Sequence, residues 1–222
     1  MALVSVGTAS GARTGDKLLA CIASQGSGAH PYSSSDALVK GADAWRNLAD
    51  AVHFLCVLHG RQPGVIDHAA ARAVDAPVRH WFAAATPAFA SERAFLAKLA
   101  VAAGPLPSTA GAGDNQAAAL GQRHAIEMLA QSERHGCALG AALALALDWE
   151  AIRTVLDIAA TRFGVDVPLH RLKELPTTRA LADEAPSAAV ERALLFGAEQ
   201  IAIQHFGLWD LLEARQQARA AG

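Results

Sequence analysis

The chain has 222 residues, of which 52% are hydrophobic and only 5% aromatic, and 19 basic against 21 acidic side chains leave a formal net charge of −2. That length and apolar content support one well-buried domain and exclude a disordered chain. The balanced charge, without a basic cluster, argues against a nucleic-acid surface, and no apolar run is long enough for membrane insertion.

Alanine, leucine and valine dominate the apolar residues. Alanine is the best helix former, and no stretch alternates β-branched residues as a strand would. The expected fold is therefore all-α: a single-domain bundle of about six substantial helices, with a ferritin-like layout conceivable. Cys21, Cys56 and Cys137 are isolated and odd in number, which fits reduced thiols and a cytoplasmic protein. Abundant alanine and arginine with four lysines fits a bacterial, GC-rich coding sequence. The opening Met-Ala-Leu-Val-Ser-Val-Gly lacks the basic region and long apolar run of a signal peptide.

Residues 1–35 are rich in Gly, Ser and Thr and read as a flexible or partly helical arm, with a short helix near Asp16–Ser24. The bundle domain is expected over 36–219. Ser35 or Asp36 caps a helix predicted to run to His59, where Gly60, Pro63 and Gly64 stop it. One face of it carries Trp45, Leu48, Val52, Leu55, Cys56 and His59, and the other Asp43, Arg46, Asp50 and His53. Phe54, Val57 and Leu58 lie off the main stripe, which calls for burial on a second side, in the core or at an interface.

The next helical region, 65–103, is expected to restart at Pro77 and again at Pro87, with Thr86 as a cap. After a Gly/Pro-rich linker, a long helix is expected from Asp114 through Leu147, ending in an uncharged run from Gly136. Helical phase puts Glu133 on its packed face, with Leu129, Ile126, Gly136 and Gly140. A carboxylate there calls for a partner, and the expected one is an arginine of another helix. Asp148 is expected to cap a fresh helix to Phe163. A final helix, begun at Ser187, carries Val190, Leu194, Ile201, His205, Leu208 and Leu212 as its stripe.

Gly136, Gly140 and Ala144 recur every fourth residue and allow a second helix to approach closely. His59 and His205 each stand alone on an apolar face. The turn His59-Gly-Arg-Gln-Pro-Gly-Val-Ile-Asp-His68 is the densest polar cluster, and two imidazoles with Asp67 suit a divalent transition metal. The competing reading makes Asp67 a helix cap and leaves His68 exposed. Glu133, His205, His59, Asp67 and His68 are thus the candidate metal ligands, although no cofactor is called for by any motif. No phosphate loop, Gly-x-Ser-x-Gly, His-Glu-x-x-His or Glu-x-x-His is present.

The His59–His68 segment and His135-Gly-Cys-Ala-Leu-Gly-Ala-Ala142 resemble stretches of an uncharacterised family of alphaproteobacterial proteins of about this length. The resemblance implies an all-helical layout and no activity. The sequence thus points to a soluble, non-enzymatic bundle acting by protein–protein contact, as a homodimer or other homo-oligomer. The alternatives are a metal-binding bundle, and a small-molecule-binding one with a pocket beside Gly136 and Gly140.

Overall fold

The computed structural model describes residues 12–109, 111–174 and 178–221, and the start of the expected N-terminal arm, residues 1–11, lies outside them. The described residues form nine α-helices and three short 3-10 segments, with no strand. The helices are α1 (Thr14–Gln25), α2 (Asp36–Val39), α3 (Ala44–His59), α4 (Val65–Ala71), α5 (Ala76–Ala103), α6 (Ala112–Ala130), α7 (Cys137–Phe163), α8 (Thr178–Asp183) and α9 (Ala188–Ala220). Seven of the nine have seven residues or more. None is long and apolar enough to cross a membrane.

α7 is the central helix and touches α1, α3, α4, α5, α6, α8 and α9. This explains its uncharged first half: a helix covered all round has no solvent face on which to place charge. Its closest neighbour is α9. A Cβ on Gly140 would lie 1.9 Å from the Leu194 carbonyl oxygen, and one on Gly197 would lie 2.1 Å from that of Cys137. The small-residue spacing therefore serves a helix contact within the chain, with each backbone pressed against the other's missing side chain. A side chain at either position would force the two helices apart.

Three expected elements differ. The helix through Leu147 is broken at 131–136, where Gly136 turns the chain with φ +95° and starts α7 afresh. Leu129 and Ala130 end α6 against the core, and the Ser132–Gly136 turn carries the chain over the surface. The break removes the phase argument for Glu133, which lies exposed in this turn. Downstream, α7 runs unbroken through Asp148, which is buried in mid-helix and does not start a fresh helix. Likewise α5 continues through Pro87, whose missing N–H falls on an exposed turn of the helix, where water can satisfy the freed carbonyl.

The N-terminal segment is not an arm from residue 14 onward. α1 packs on α8 and α9 with Leu18 fully buried, and Ser27, His30 and Tyr32 are buried beyond it. Its Gly/Ser composition reflects close approach to α7: a Cβ on Gly26 would lie 2.4 Å from Asp148 Oδ1. In α3 the apolar face is wider than its stripe. Phe54 and Leu58 are buried in the core, Asp50 is buried as well, and Trp45 is 46% exposed.

Candidate functional site

Four side chains from four separate elements form one buried polar chain. Ser27, in the 3-10 segment after α1, donates its hydroxyl to Asp148 Oδ2 at 2.6 Å and its backbone N–H to Oδ1 at 2.8 Å. Asp148 Oδ2 also lies 2.5 Å from His205 Nδ1. His205 Nε2 in turn lies 2.8 Å from His59 Nε2. The ring centroids of the two histidines are 5.0 Å apart, so the imidazoles face each other nitrogen to nitrogen. Such a contact requires one hydrogen between two ring nitrogens, donated by one and accepted by the other.

The surroundings of this chain are apolar. Trp149 and Phe89 meet the His59 ring edge-on, with centroids 5.5 and 6.3 Å away. Burial holds His59 well below the usual imidazole range, and the neighbouring His205 and Arg93 add to the effect. His59 is thus a neutral imidazole in the folded protein at neutral pH.

His59 is also where the chain meets the surface. It is 5% exposed and lies in the wall of a small cleft of about 20 Å³. That space holds a single water-sized group. Leu58, Val65, Phe89 and Ile126 supply apolar wall, while Arg61, His68, Arg123 and Glu127 supply the polar part. Arg61 and Arg123 share one carboxylate oxygen, Glu127 Oε1, at 3.8 and 3.4 Å. Both separations are longer than a good hydrogen bond, and Arg123 Nε is buried without a hydrogen-bond partner among the described residues.

The five sequence candidates do not come together in one place. His59 and His205 meet directly. Asp67 is taken up elsewhere: it accepts from the Gly64 backbone N–H at 2.8 Å as a helix cap, and from Arg93 Nη1 and Nη2 at 2.8 and 3.2 Å. His68, half-buried, stands at the small cleft. Glu133 lines a different cavity, and among the described residues it has no ion-pair partner. Nitrogens 2.8 Å apart are closer than the roughly 3.3 Å that two ligands of a tetrahedral zinc ion keep. Among the described residues no three His, Cys, Asp or Glu side chains are grouped to hold a metal ion.

The cavity that Glu133 lines is a groove of about 500 Å³. It opens where the α4–α5, α6–α7 and α8–α9 connections come together. Val78, Phe82, Ala138, Leu139, Leu181 and Leu194 form an apolar floor, and Gly136 lies in its wall. The rim is charged. Arg72 is held by the Ser132 carbonyl oxygen at 3.0 Å and Arg134 stacks over Phe196 at 5.1 Å, whereas Asp75, Glu133 and Glu184 have no ion pair among the described residues.

Sequence reasoning missed Asp148 and Ser27. Asp148 had a signal: Gly136, Gly140, Ala144, Asp148 and Ile152 form one ladder of fourth residues, which a continuous helix places on a single packed face. Ser27 had none, since nothing distinguishes it from the other serines of its loop.

Fold and site together define the class: an α-helical bundle wrapped around a buried central helix, with a polar chain at its heart. Within that class, the chain belongs to the family of unknown function DUF6975, whose model matches residues 22–220. No curated protein and no solved structure matches it.

Proposed function

We propose that this protein is a small-molecule-binding helical bundle whose ligand lies in the groove between the α4–α5, α6–α7 and α8–α9 connections. The observation that carries this reading is the groove itself. Its volume of about 500 Å³ falls within the range of drug-sized ligand sites, and it joins an apolar floor to a few polar groups at the rim. The ligand it fits has an apolar body resting on Phe82, Leu139 and Leu181 and a polar end toward the rim. The groove is built from three inter-helix connections, while the helices beneath it are fixed by the α7–α9 contact.

Nile red, a neutral apolar dye, tests this. Saturable one-to-one fluorescence enhancement is expected, and Leu139→Trp, which fills the floor from a half-buried position, should abolish it without lowering the melting temperature. Absence of saturable binding, or equal binding by the variant, overturns the reading.

Self-association is the second reading. Phe54, Val57 and Leu58, which prompt it in the sequence, pack into the core, Phe54 and Leu58 buried and Val57 half-buried. Its support now comes from Phe196 and Ile203, 39% and 43% exposed and seven residues apart on one face of α9. Light scattering over a dilution series decides it, and a monomer throughout the micromolar range removes it.

A further inference from the structure

The buried histidine chain ends at a second opening, separate from the groove. His59 Nε2 is occupied by His205, and the other ring nitrogen, Nδ1, makes no hydrogen bond among the described residues. It is not one of the fully buried unpartnered atoms, so solvent reaches it although the side chain is only 5% exposed. The cleft that His59 lines is where that can happen.

The mouth of the cleft states what kind of group is suited. Arg61 and Arg123 stand against the single carboxylate of Glu127, which leaves one positive charge uncompensated and the buried Arg123 Nε without a hydrogen-bond partner among the described residues. Guanidinium groups recognise planar and tetrahedral oxyanions. The cleft is too small for more than one water-sized group at its base. An oxyanion therefore enters with one oxygen and leaves the rest at the mouth.

We propose that the cleft over His59 binds a small carboxylate or phosphate anion, held by Arg61 and Arg123 with one oxygen accepting from His59 Nδ1–H. This requires a rearrangement of protons along the chain. For Nδ1 to donate, His59 Nε2 must accept from His205 Nε2–H, while His205 Nδ1–H donates to Asp148 Oδ2. The pair then carries one proton more than the neutral pair, taken from solvent, and Asp148 faces the imidazolium so formed. Anion binding is thereby coupled to uptake of one proton. The other charged groups facing His59 are Arg93, which is paired with Asp67 across α5 and α4, and His68, Glu127, Arg61 and Arg123 around the cleft.

The test uses the whole protein with two probes, sodium acetate and inorganic phosphate, against chloride at equal ionic strength. Imidazole nitrogen shifts are followed by NMR. Expected are saturable shifts of His59 and His205 with acetate, phosphate or both, which also shows the anion preferred. Arg123→Gln should weaken binding by at least about tenfold, because it removes one charge-assisted contact. Acetate titrations at pH 7.5 in buffers of different ionisation heat should report uptake of about one proton per anion. Three results would each overturn the proposal: no saturation with either probe, equal affinity in Arg123→Gln, or binding with no proton uptake. Arg123 is not part of the core, so its variant is expected to fold, and failure of Nile red to bind the groove leaves this test unaffected.

Discussion

Two kinds of polar cluster are buried in this bundle, and they answer different physical demands. Arginines build the first kind. Arg153 donates to Glu92 Oε1 at 2.7 Å and to Asp157 at 2.6 Å, while Trp149 Nε1–H donates to Glu92 Oε2 at 3.0 Å. Arg215 grips Asp50 through two contacts at 2.9 and 3.1 Å, and Arg219 adds a third at 2.5 Å. Imidazoles build the second kind, the Ser27–Asp148–His205–His59 chain. A guanidinium is always charged, so the arginine clusters have one state and act as clamps. An imidazole changes charge near neutral pH, so the histidine chain has at least two proton arrangements. The same core thus contains fixed fasteners at α5–α7 and α3–α9, and a titratable element between them.

Breaking a clamp tests the first half of this contrast and should give the largest effect. Arg153→Met leaves Glu92 buried without its guanidinium, and a loss of about 3–5 kcal/mol in urea unfolding is expected. Burial already pushes Glu92 above the usual carboxylate range, with the Trp149 hydrogen bond and the Arg153 charge pulling it back. Removing Arg153 raises it further, so the penalty should shrink as the pH is lowered and Glu92 takes up a proton. A loss below about 1 kcal/mol would show that the pair is not a clamp.

Acid titration tests the second half. The folded-state pKa of His59 lies well below its unfolded value of about 6.5, so below that pH the unfolded chain binds the proton that the folded one refuses. Stability from this group is therefore complete above about pH 6.5 and falls as the pH drops, by up to ~1.4 kcal/mol per pH unit, until the folded-state pKa is reached. Denaturation midpoints between pH 7.5 and 5 should show that slope in the wild type and a flatter one in His59→Gln. Equal slopes would mean that the imidazole pair is as rigid in charge as the arginines.

The smallest effect is expected at Glu133, which belongs to neither cluster. Glu133→Gln should move stability by no more than about 0.5 kcal/mol, as for exposed surface residues. A change of several kcal/mol in a thermal or urea melt would put Glu133 back among the buried charges.

The contrast also shows what could be read before folding. His59 and His205 were recognisable as lone histidines on apolar stripes, and helical period alone is enough for that. Their meeting was not recognisable, because it joins positions 146 residues apart through the docking of α3 on α9. Helical phase carried unbroken through 131–136 puts Glu133 on a packed face, but the chain breaks there and leaves it in an exposed turn. Its spacing makes Gly136 look like a packing glycine inside a helix, yet its positive φ makes it the turn that begins α7. Once α7 starts there, Asp148 becomes the misplaced acid. Asp50 falls on the expected solvent face for a related reason: its helix is packed on more than one side, whereas an amphipathic pattern presumes a single buried face.

The sequence by itself determined the all-α class, most helix ends at Gly and Pro, and the close approach marked by Gly136 and Gly140. These follow from local propensity, from backbone geometry and from the space that a missing Cβ leaves. Only the tertiary structure decided which polar residues are buried together. A buried polar group must find its partner in space, and the partners here come from α3, α7, α9 and the segment after α1. It also decided the location of the two cavities, since each is a gap left where connections between helices fail to fill the space between them.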